Sequence, residues 1–561
     1  MPQKHRTDKA DLWYTERTAR KDTAMINQLF DQAKITADST QKTKGGLLLS
    51  GAHVTMDLPT APRRYLYSGW QSWSLTAWIE TRRPVRPLRP SVMHARETDP
   101  VYVREQRPNG SWYGAVELAD GKIIFLGALG LESHVMLDDQ TLKGWYEEGN
   151  GESPKGTLWF IGHGDEAELL DQYAHLLKER FGAGHIQKSL RVWCSWYSLY
   201  TEIHEDQLLK ILHDLGDMPF DVFQIDDGWQ KGVGNWEPNA KFPEGMEKMA
   251  ARIHETGRKA GLWLAPLLIS PCSDIFREHR DWLLHDEKGR LVSAGYNWGD
   301  LVYALDTTHP EALEWLAALM KKVRAWGYDY AKLDFLYAGG LPGKRHRDIA
   351  RESAYRNGLK TMRTALGDAY LLVCGSPILP SLGLCDGMRI GQDVGEYWDS
   401  RLFDNFLINF GAPGVRNVLR NTTNRLWLQP LVHTDPDVVY FRSRRNNLTP
   451  EQKSLLQDMA QICNFKATSD IPAWLTESEQ AALRVFLESS PRVLKKGRTS
   501  YEIDGRRVDF GAYIGMPPLP GALTNGLGSV LGRLANIPAL MKIVDKLDHS
   551  SLRKKLKQNP V

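Results

Sequence analysis

The chain has 561 residues, 42% hydrophobic and 25% charged, with 71 basic against 68 acidic side chains and a net charge of +3. This is a soluble globular composition, long enough for two or three domains, and so small a net charge leaves no electrostatic footprint for nucleic acid. No apolar run approaches the roughly 18–20 residues that span a bilayer, and the five scattered cysteines, odd in number and without a C-x-x-C pair, argue against a disulfide framework.

The first residues lead into polar sequence with no apolar h-region, so no secretory signal is expected and the cytoplasm is the expected location. From 45 to about 160, short apolar runs separated by turns, such as 46–56, 112–118 and 123–129, predict an antiparallel β-sandwich. A helix over 166–180 then runs through Phe181-Gly182-Ala183-Gly184 to a boundary near 185. Beyond it, β-like runs at 191–197, 221–227, 260–266, 328–335, 370–375 and 388–394 alternate with helical stretches at 205–215, 246–256, 311–325 and 347–365. The seventh and eighth strands are placed at 437–441 and 467–471. Such alternation implies a parallel sheet with crossover helices, and the span of about 280 residues is close to the roughly 250 of a (β/α)₈ TIM barrel. The expected organisation is therefore an N-terminal antiparallel β-sandwich with a polar extension (1–185), a central (β/α)₈ barrel (186–471) and a small C-terminal region (472–561). In the last, 500–510 reads as a hairpin around Asp504-Gly505, and 527–547 is amphipathic at helical spacing before a basic end at Arg553, Lys554, Lys555 and Lys557. Docking on the barrel is the favoured role for that tail; a homo-oligomer interface or an anionic membrane surface stays open.

In a barrel enzyme the chemistry comes from the C-terminal ends of the strands. Here those ends carry Trp193-Cys194-Ser195-Trp196-Tyr197, Ile225-Asp226-Asp227-Gly228-Trp229, Trp263-Leu264-Ala265-Pro266, Lys332-Leu333-Asp334-Phe335, Cys374-Gly375-Ser376-Pro377 and Arg389-Ile390-Gly391-Gln392-Asp393. One such Asp is often only the cap of the next helix; four on three strands, beside Lys332 and Arg389, point to a site. Retaining glycoside hydrolysis needs two carboxyl groups about 5–5.5 Å apart. Asp334, with Lys332 two residues earlier on the same strand face to keep it ionised, suits the nucleophile. Asp393 suits the general acid/base, its proton held by the negative Asp334 opposite, with Arg389 touching substrate or tempering that effect. Asp226 and Asp227 suit acceptors for two neighbouring sugar hydroxyls. The 19 Trp raise the prior for sugar stacking.

These blocks, together with Tyr303-Ala304-Leu305-Asp306 and, in the N-terminal region, Gly69-Trp70-Gln71-Ser72-Trp73-Ser74, resemble glycoside hydrolase family 36, in particular its compact bacterial α-galactosidases. The resemblance runs from about 190 to 437. It implies Asp334 as nucleophile, Asp393 as acid/base, Asp226 and Asp227 gripping galactose at O4 and O6, and Lys332 and Arg389 as sugar-contacting cations. It further implies that Trp73, Trp196, Tyr197 and Trp263 form aromatic or wall positions, with Cys374 and Gly375 near the sugar 2-position. Trp263 and the other barrel aromatics could equally be packing, and Cys374 a buried structural thiol. The Trp73 block reads as a loop projecting its ring to the barrel mouth, with Trp70 as packing. Leu333 and Gln392 stand where many members of the family have Trp and Ser.

The expected activity is hydrolysis of terminal α-galactosides such as melibiose or raffinose-type oligosaccharides, with no cofactor and no metal. His433, Asp435 and Asp437 alternate, but two-residue spacing alone is weak evidence for a metal site. The alternatives are a raffinose-synthase-like transgalactosidase, an α-N-acetylgalactosaminidase, or a non-catalytic sugar-binding protein.

Overall fold

The computed structural model describes residues 34–82 (except 44), 98–147 (except 106), 157–184, 189–399 and 411–515, with isolated positions between 530 and 543. In its N-terminal part a five-stranded and a seven-stranded antiparallel sheet face each other. The strand Ile123–Ala128 shows why this sequence reads as a continuous apolar run rather than an alternating one. Ile124, Leu126 and Ala128 enter the core between the sheets with Val54, Val135, Leu142 and Trp159. Ile123 and Phe125 point the other way, into the core shared with the barrel. Both faces are buried, so both must be apolar.

The helix Glu166–Phe181 covers that second face, its Tyr173 ring 4.9 Å from Phe125. Asp165 caps it by accepting from the Ala167 N–H, Glu166 and Glu168 occupy the first turn, Lys178 and Arg180 the last, and Gly182 ends it at φ +79°. Charge and caps thus agree with the helix dipole at both ends.

Eight parallel strands follow: β1 (Arg191–Cys194), β2 (Val222–Ile225), β3 (Lys259–Leu264), β4 (Tyr330–Leu333), β5 (Tyr370–Val373), β6 (Gly387–Arg389), β7 (His433–Asp435) and β8 (Lys466–Thr468). They pair in sequence order from β1 to β7, and β8 joins β1 on its other side. The ring closes where Val439, just past β7, bridges Thr468 of β8. The curled parallel sheet and its crossover helices form the expected (β/α)₈ barrel.

β7 lies four residues before its expected place. The apolar run 438–441 suggested a strand, but the ladder to β6 is carried by the polar His433-Thr434-Asp435. Asp437, at φ +82°, turns the chain between the two. A polar barrel strand has no hydrophobic signature when its rim residues are engaged in ion pairs, as Asp435 is.

The expected C-terminal hairpin forms, Ser500–Ile503 against Arg506–Asp509, with Asp504 and Gly505 both at positive φ. Two successive positive φ values are what a tight two-residue hairpin turn requires. Tyr501, Ile503, Val508 and Phe510 pack into the main core, and Arg506 pairs with Asp458 of the helix Pro450–Cys463. Arg498 stacks 4.2 Å over Trp78 and pairs with Glu117, tying this region to the sandwich. The amphipathic stretch 527–547 lies, apart from isolated positions, outside the described residues. No described helix is long and apolar enough to cross a membrane.

Candidate active site

At the end of β4, Lys332 and Asp334 share one face because side chains alternate along a strand, while Leu333 points outward into the barrel–helix core. The Asp334 N–H still donates to Leu264 of β3 at 2.8 Å, which fixes the side chain at the rim. Phe335, at φ +54°, turns the chain away immediately after and donates its N–H to Asp334 Oδ1 at 2.7 Å. Asp334 Oδ2 accepts the Trp263 indole N–H at 3.0 Å and lies 3.9 Å from Lys332 Nζ. Trp263 is therefore more than packing: it orients this carboxylate directly.

Lys332 Nζ lies 2.9 Å from Asp226 Oδ2, which also accepts from Gln224 Nε2 at 2.7 Å. Burial opposes the ammonium charge, but Asp226 and Asp334 more than offset it, holding Lys332 well above its ordinary value. Asp227 is gripped by Gln230 Nε2 at 2.6 Å and by the Trp298 indole N–H at 2.7 Å. Gly228 permits the sharp turn after it: at φ +117°, a Cβ there would stand 2.7 Å from the Thr201 carbonyl oxygen.

Burial pushes the Asp227 carboxyl up to about 6, against the hydrogen bonds from Gln230 and Trp298. A carboxylate raised in this way favours the fold most below its unfolded value and loses that contribution as pH rises through about 6. The shift from 3.8 corresponds to a cost of about 3 kcal/mol at neutral pH. Asp227→Asn should therefore gain thermal stability relative to the parent as pH rises from 5 to 7.5. Midpoints from thermal scans of both proteins across that range check this, and a constant difference would sink it.

Arg389, at the end of β6, faces three carboxylates: Asp435 at 2.9 Å, Asp437 at 2.8 Å and Asp393 at 3.1 Å. Burial raises the Asp393 carboxyl above its ordinary value; Arg389 opposes this and Asp334 adds to it. The Tyr197 phenol donates to Asp437, which fixes the Tyr197 ring against this cluster. Trp196 is half-buried against Tyr200, with ring centroids 5.2 Å apart. Cys374 is fully buried, its thiol pushed up by burial and then by Asp334.

The Trp73 loop does not project outward. Gly69, Gln71, Ser72 and Ser74 all present carbonyls to the buried Arg425 guanidinium, at 2.6–3.2 Å, and the Ile390 carbonyl completes its set. No carboxylate appears among these partners, and burial lowers Arg425 to about 10. Held this way, the loop lies on the barrel rim, with Gln71 bridging Pro377 and Ser72 bonded to Ser376. The Trp73 ring is 7% exposed, 5.1 Å from Phe335 and 6.1 Å from Tyr337. Gly375, at φ +53°, makes room for it: a Cβ there would meet the ring at 2.8 Å. Truncating a side chain so buried opens a cavity, so Trp73 contributes to stability as well as to the rim. Trp70 is fully buried beside Tyr337 and under Arg351, as packing should be.

Two features escaped the sequence reading. Trp298 sits at the tip of the hairpin Ser293–Asn297/Asp300–Ala304, at φ +50°, and its only sequence signal is the Asn297-Trp298-Gly299-Asp300 turn. Asp435 and Asp437 were visible as an alternating pair, but their partner is the Arg389 guanidinium. Among the described residues, no cluster of His, Cys, Asp and Glu has the arrangement of a metal site.

Comparison with known proteins gives a consistent picture. The melibiase family model matches residues 153–363. A solved α-galactosidase from Thermus thermophilus, in complex with p-nitrophenyl α-D-galactopyranoside, is 43% identical with a TM-score of 0.81, covering 86% of this chain and 97% of its own. The α-galactosidase AgaA of Geobacillus stearothermophilus is 24% identical over 363 residues, 56% of this chain and 47% of that protein. The chain thus spans about half the length of that curated relative. A solved family 36 structure of AgaA, at 16% identity and a TM-score of 0.55, shares the fold, covering 82% of this chain and 68% of its own.

Proposed function

The chain belongs to glycoside hydrolase family 36, and we propose that it is a retaining α-galactosidase, releasing terminal α-galactosyl residues from oligosaccharides by double displacement. The observation that carries the reading is the pair of carboxyls held in opposite electrostatic settings on one rim. Asp334 is braced by Trp263 and Lys332, whereas burial, with Asp334 adding to it, raises the proton affinity of Asp393 against the pull of Arg389. In this reading Asp334 attacks C1 while Asp393 protonates the departing oxygen, giving a galactosyl-aspartate. Asp393 then takes the proton of the water that opens it. Asp226 and Asp227, fixed by Lys332, Gln224, Gln230 and Trp298, would accept from the O4 and O6 hydroxyls. Lys332 and Arg389 would supply cations, and Trp196, Tyr197, Trp263, Cys374 and Gly375 the walls. The Trp73 indole N–H finds no acceptor among the described residues, and a sugar hydroxyl would provide one.

Related α-galactosidases have been solved with stachyose and with raffinose, which makes raffinose-type oligosaccharides the proposed substrates here. The proposed organisation is a sandwich over 1–185, a catalytic barrel over 186–471 and a C-terminal region over 472–561, working in the cytoplasm. Proton NMR during turnover of p-nitrophenyl α-D-galactopyranoside tests the mechanism: the α-anomer of galactose should appear first. The β-anomer first would refute retention, and no turnover of any α-glycoside would leave a binding protein. Galactosyl transfer to a second sugar in place of water would identify a transgalactosidase.

A further inference from the structure

The reaction uses one partner of Arg389, yet the structure gives that guanidinium three. Arg389 is 3% exposed, and its contacts with Asp435 at 2.9 Å and Asp437 at 2.8 Å are shorter than the 3.1 Å to Asp393. The Asp437 side chain is wholly buried, whereas that of Asp393 is 33% exposed. Arg389 is thus anchored on the β7 side and reaches Asp393 last.

Asp437 is itself over-determined. Its Oδ2 accepts the Tyr197 phenol and, at 2.8 Å, the N–H of Val394, the residue following Asp393. Its Oδ1 takes the Val438 N–H at 2.8 Å, and its own N–H donates to Asp435 at 2.7 Å. It holds φ +82°, a conformation that costs a non-glycine residue energy and that persists only where surrounding bonds enforce it.

We propose that Asp437 is a positioning residue for the acid/base step: by sharing Arg389 with Asp393, it leaves Asp393 able to carry the proton that the leaving oxygen takes. The proposal rests on the α-galactosidase reading and deepens it. The groups facing Asp393 are Arg389 from its own strand end, Asp334 and Lys332 from β4, and Asp226 from β2. Among the described residues, Cys374 just past β5, Tyr197 beyond β1 and Asp437 beyond β7 also act on it, and Asp435 of β7 reaches it through Arg389. An undivided Arg389 would favour the Asp393 carboxylate and strip its proton early. A second negative charge on Arg389 opposes this both by competition and by direct repulsion. Burial pushes Asp437 up to about 7 against the pull of Arg389, with Asp393 adding to the rise, so this competition acts above about pH 7.

The test is the pH dependence of kcat/KM for the full-length Asp437→Asn variant on melibiose and on p-nitrophenyl α-D-galactopyranoside. Asn tolerates positive φ and keeps the shape while removing the charge. The basic limb on melibiose should move down by about one pH unit, with about a tenfold loss above it. The nitrophenyl substrate, whose leaving group needs little protonation, should lose much less. Tyr197→Phe removes the donor that stabilises the Asp437 carboxylate, so its limb should move the same way by a smaller amount. It decides the matter if Asp437→Asn does not fold. A limb that stays put or moves up, with equal loss on both substrates, would overturn the positioning role. A parent protein inactive on both would instead overturn the α-galactosidase reading.

Discussion

Asp334→Asn should lose turnover on every substrate, while Asp393→Ala should lose about 10²–10⁴ on melibiose and far less on p-nitrophenyl α-D-galactopyranoside. Every glycoside needs the nucleophile, but an activated phenolate departs without a proton. The surroundings support this asymmetry. Asp334 is braced on both oxygens, by Phe335 and by Trp263 with Lys332 nearby, as a group that must attack from one fixed direction should be. Asp393, partly open to solvent, has room to exchange a proton with a leaving group and then with water. Azide should rescue Asp334→Gly and give the inverted β-galactosyl azide, because a small anion can enter where the carboxylate was. Rates on the two substrates, with and without azide, decide this; equal losses in both variants on both substrates would end the division of labour.

Selectivity for the α-galactoside over the α-glucoside should reach about 10⁴ in kcat/KM. Asp226 and Asp227 are buried and held by separate donors, Lys332 and Gln224 for the first, Gln230 and Trp298 for the second. In the proposed complex, an epimer lacking the axial hydroxyl would deprive a desolvated carboxylate of one donor, and a hydrogen bond missing in a buried site is a costly mismatch. Parallel kinetics on the two nitrophenyl glycosides measure the ratio. Comparable values would show that these carboxylates do not read the 4-position.

The proposed site residues are legible because they sit at fixed places in a repeating pattern. Asp226, Lys332, Asp334, Arg389 and Asp393 all lie at or just beyond the C-terminal ends of barrel strands. Harder to see were groups that act on those residues from irregular segments. Trp298 lies at a hairpin tip with no periodic context, and Arg425 lies in the helix Val415–Arg425, where an arginine reads as a solvated charge until its carbonyl partners are known. β7 was misplaced for a related reason: its residues serve ion pairs, and hydrophobic pattern is blind to them. The burial of Trp73 is not legible in its own block, because it depends on Gly375, Phe335 and Tyr337, far away in sequence.

The Arg425 clamp also sets an order in time. The loop that completes the barrel mouth is translated early, yet the donor that satisfies its carbonyls follows Gln71 by 354 residues. At roughly 5–20 residues per second, that is a wait of about 18–70 s on the ribosome. The N-terminal sheets can pack on each other meanwhile, but the Trp73 loop cannot gain its Arg425 donors until the helix Val415–Arg425 emerges. A nascent chain stopped before that point has both proposed catalytic carboxyls and still lacks the clamp on the loop at the rim.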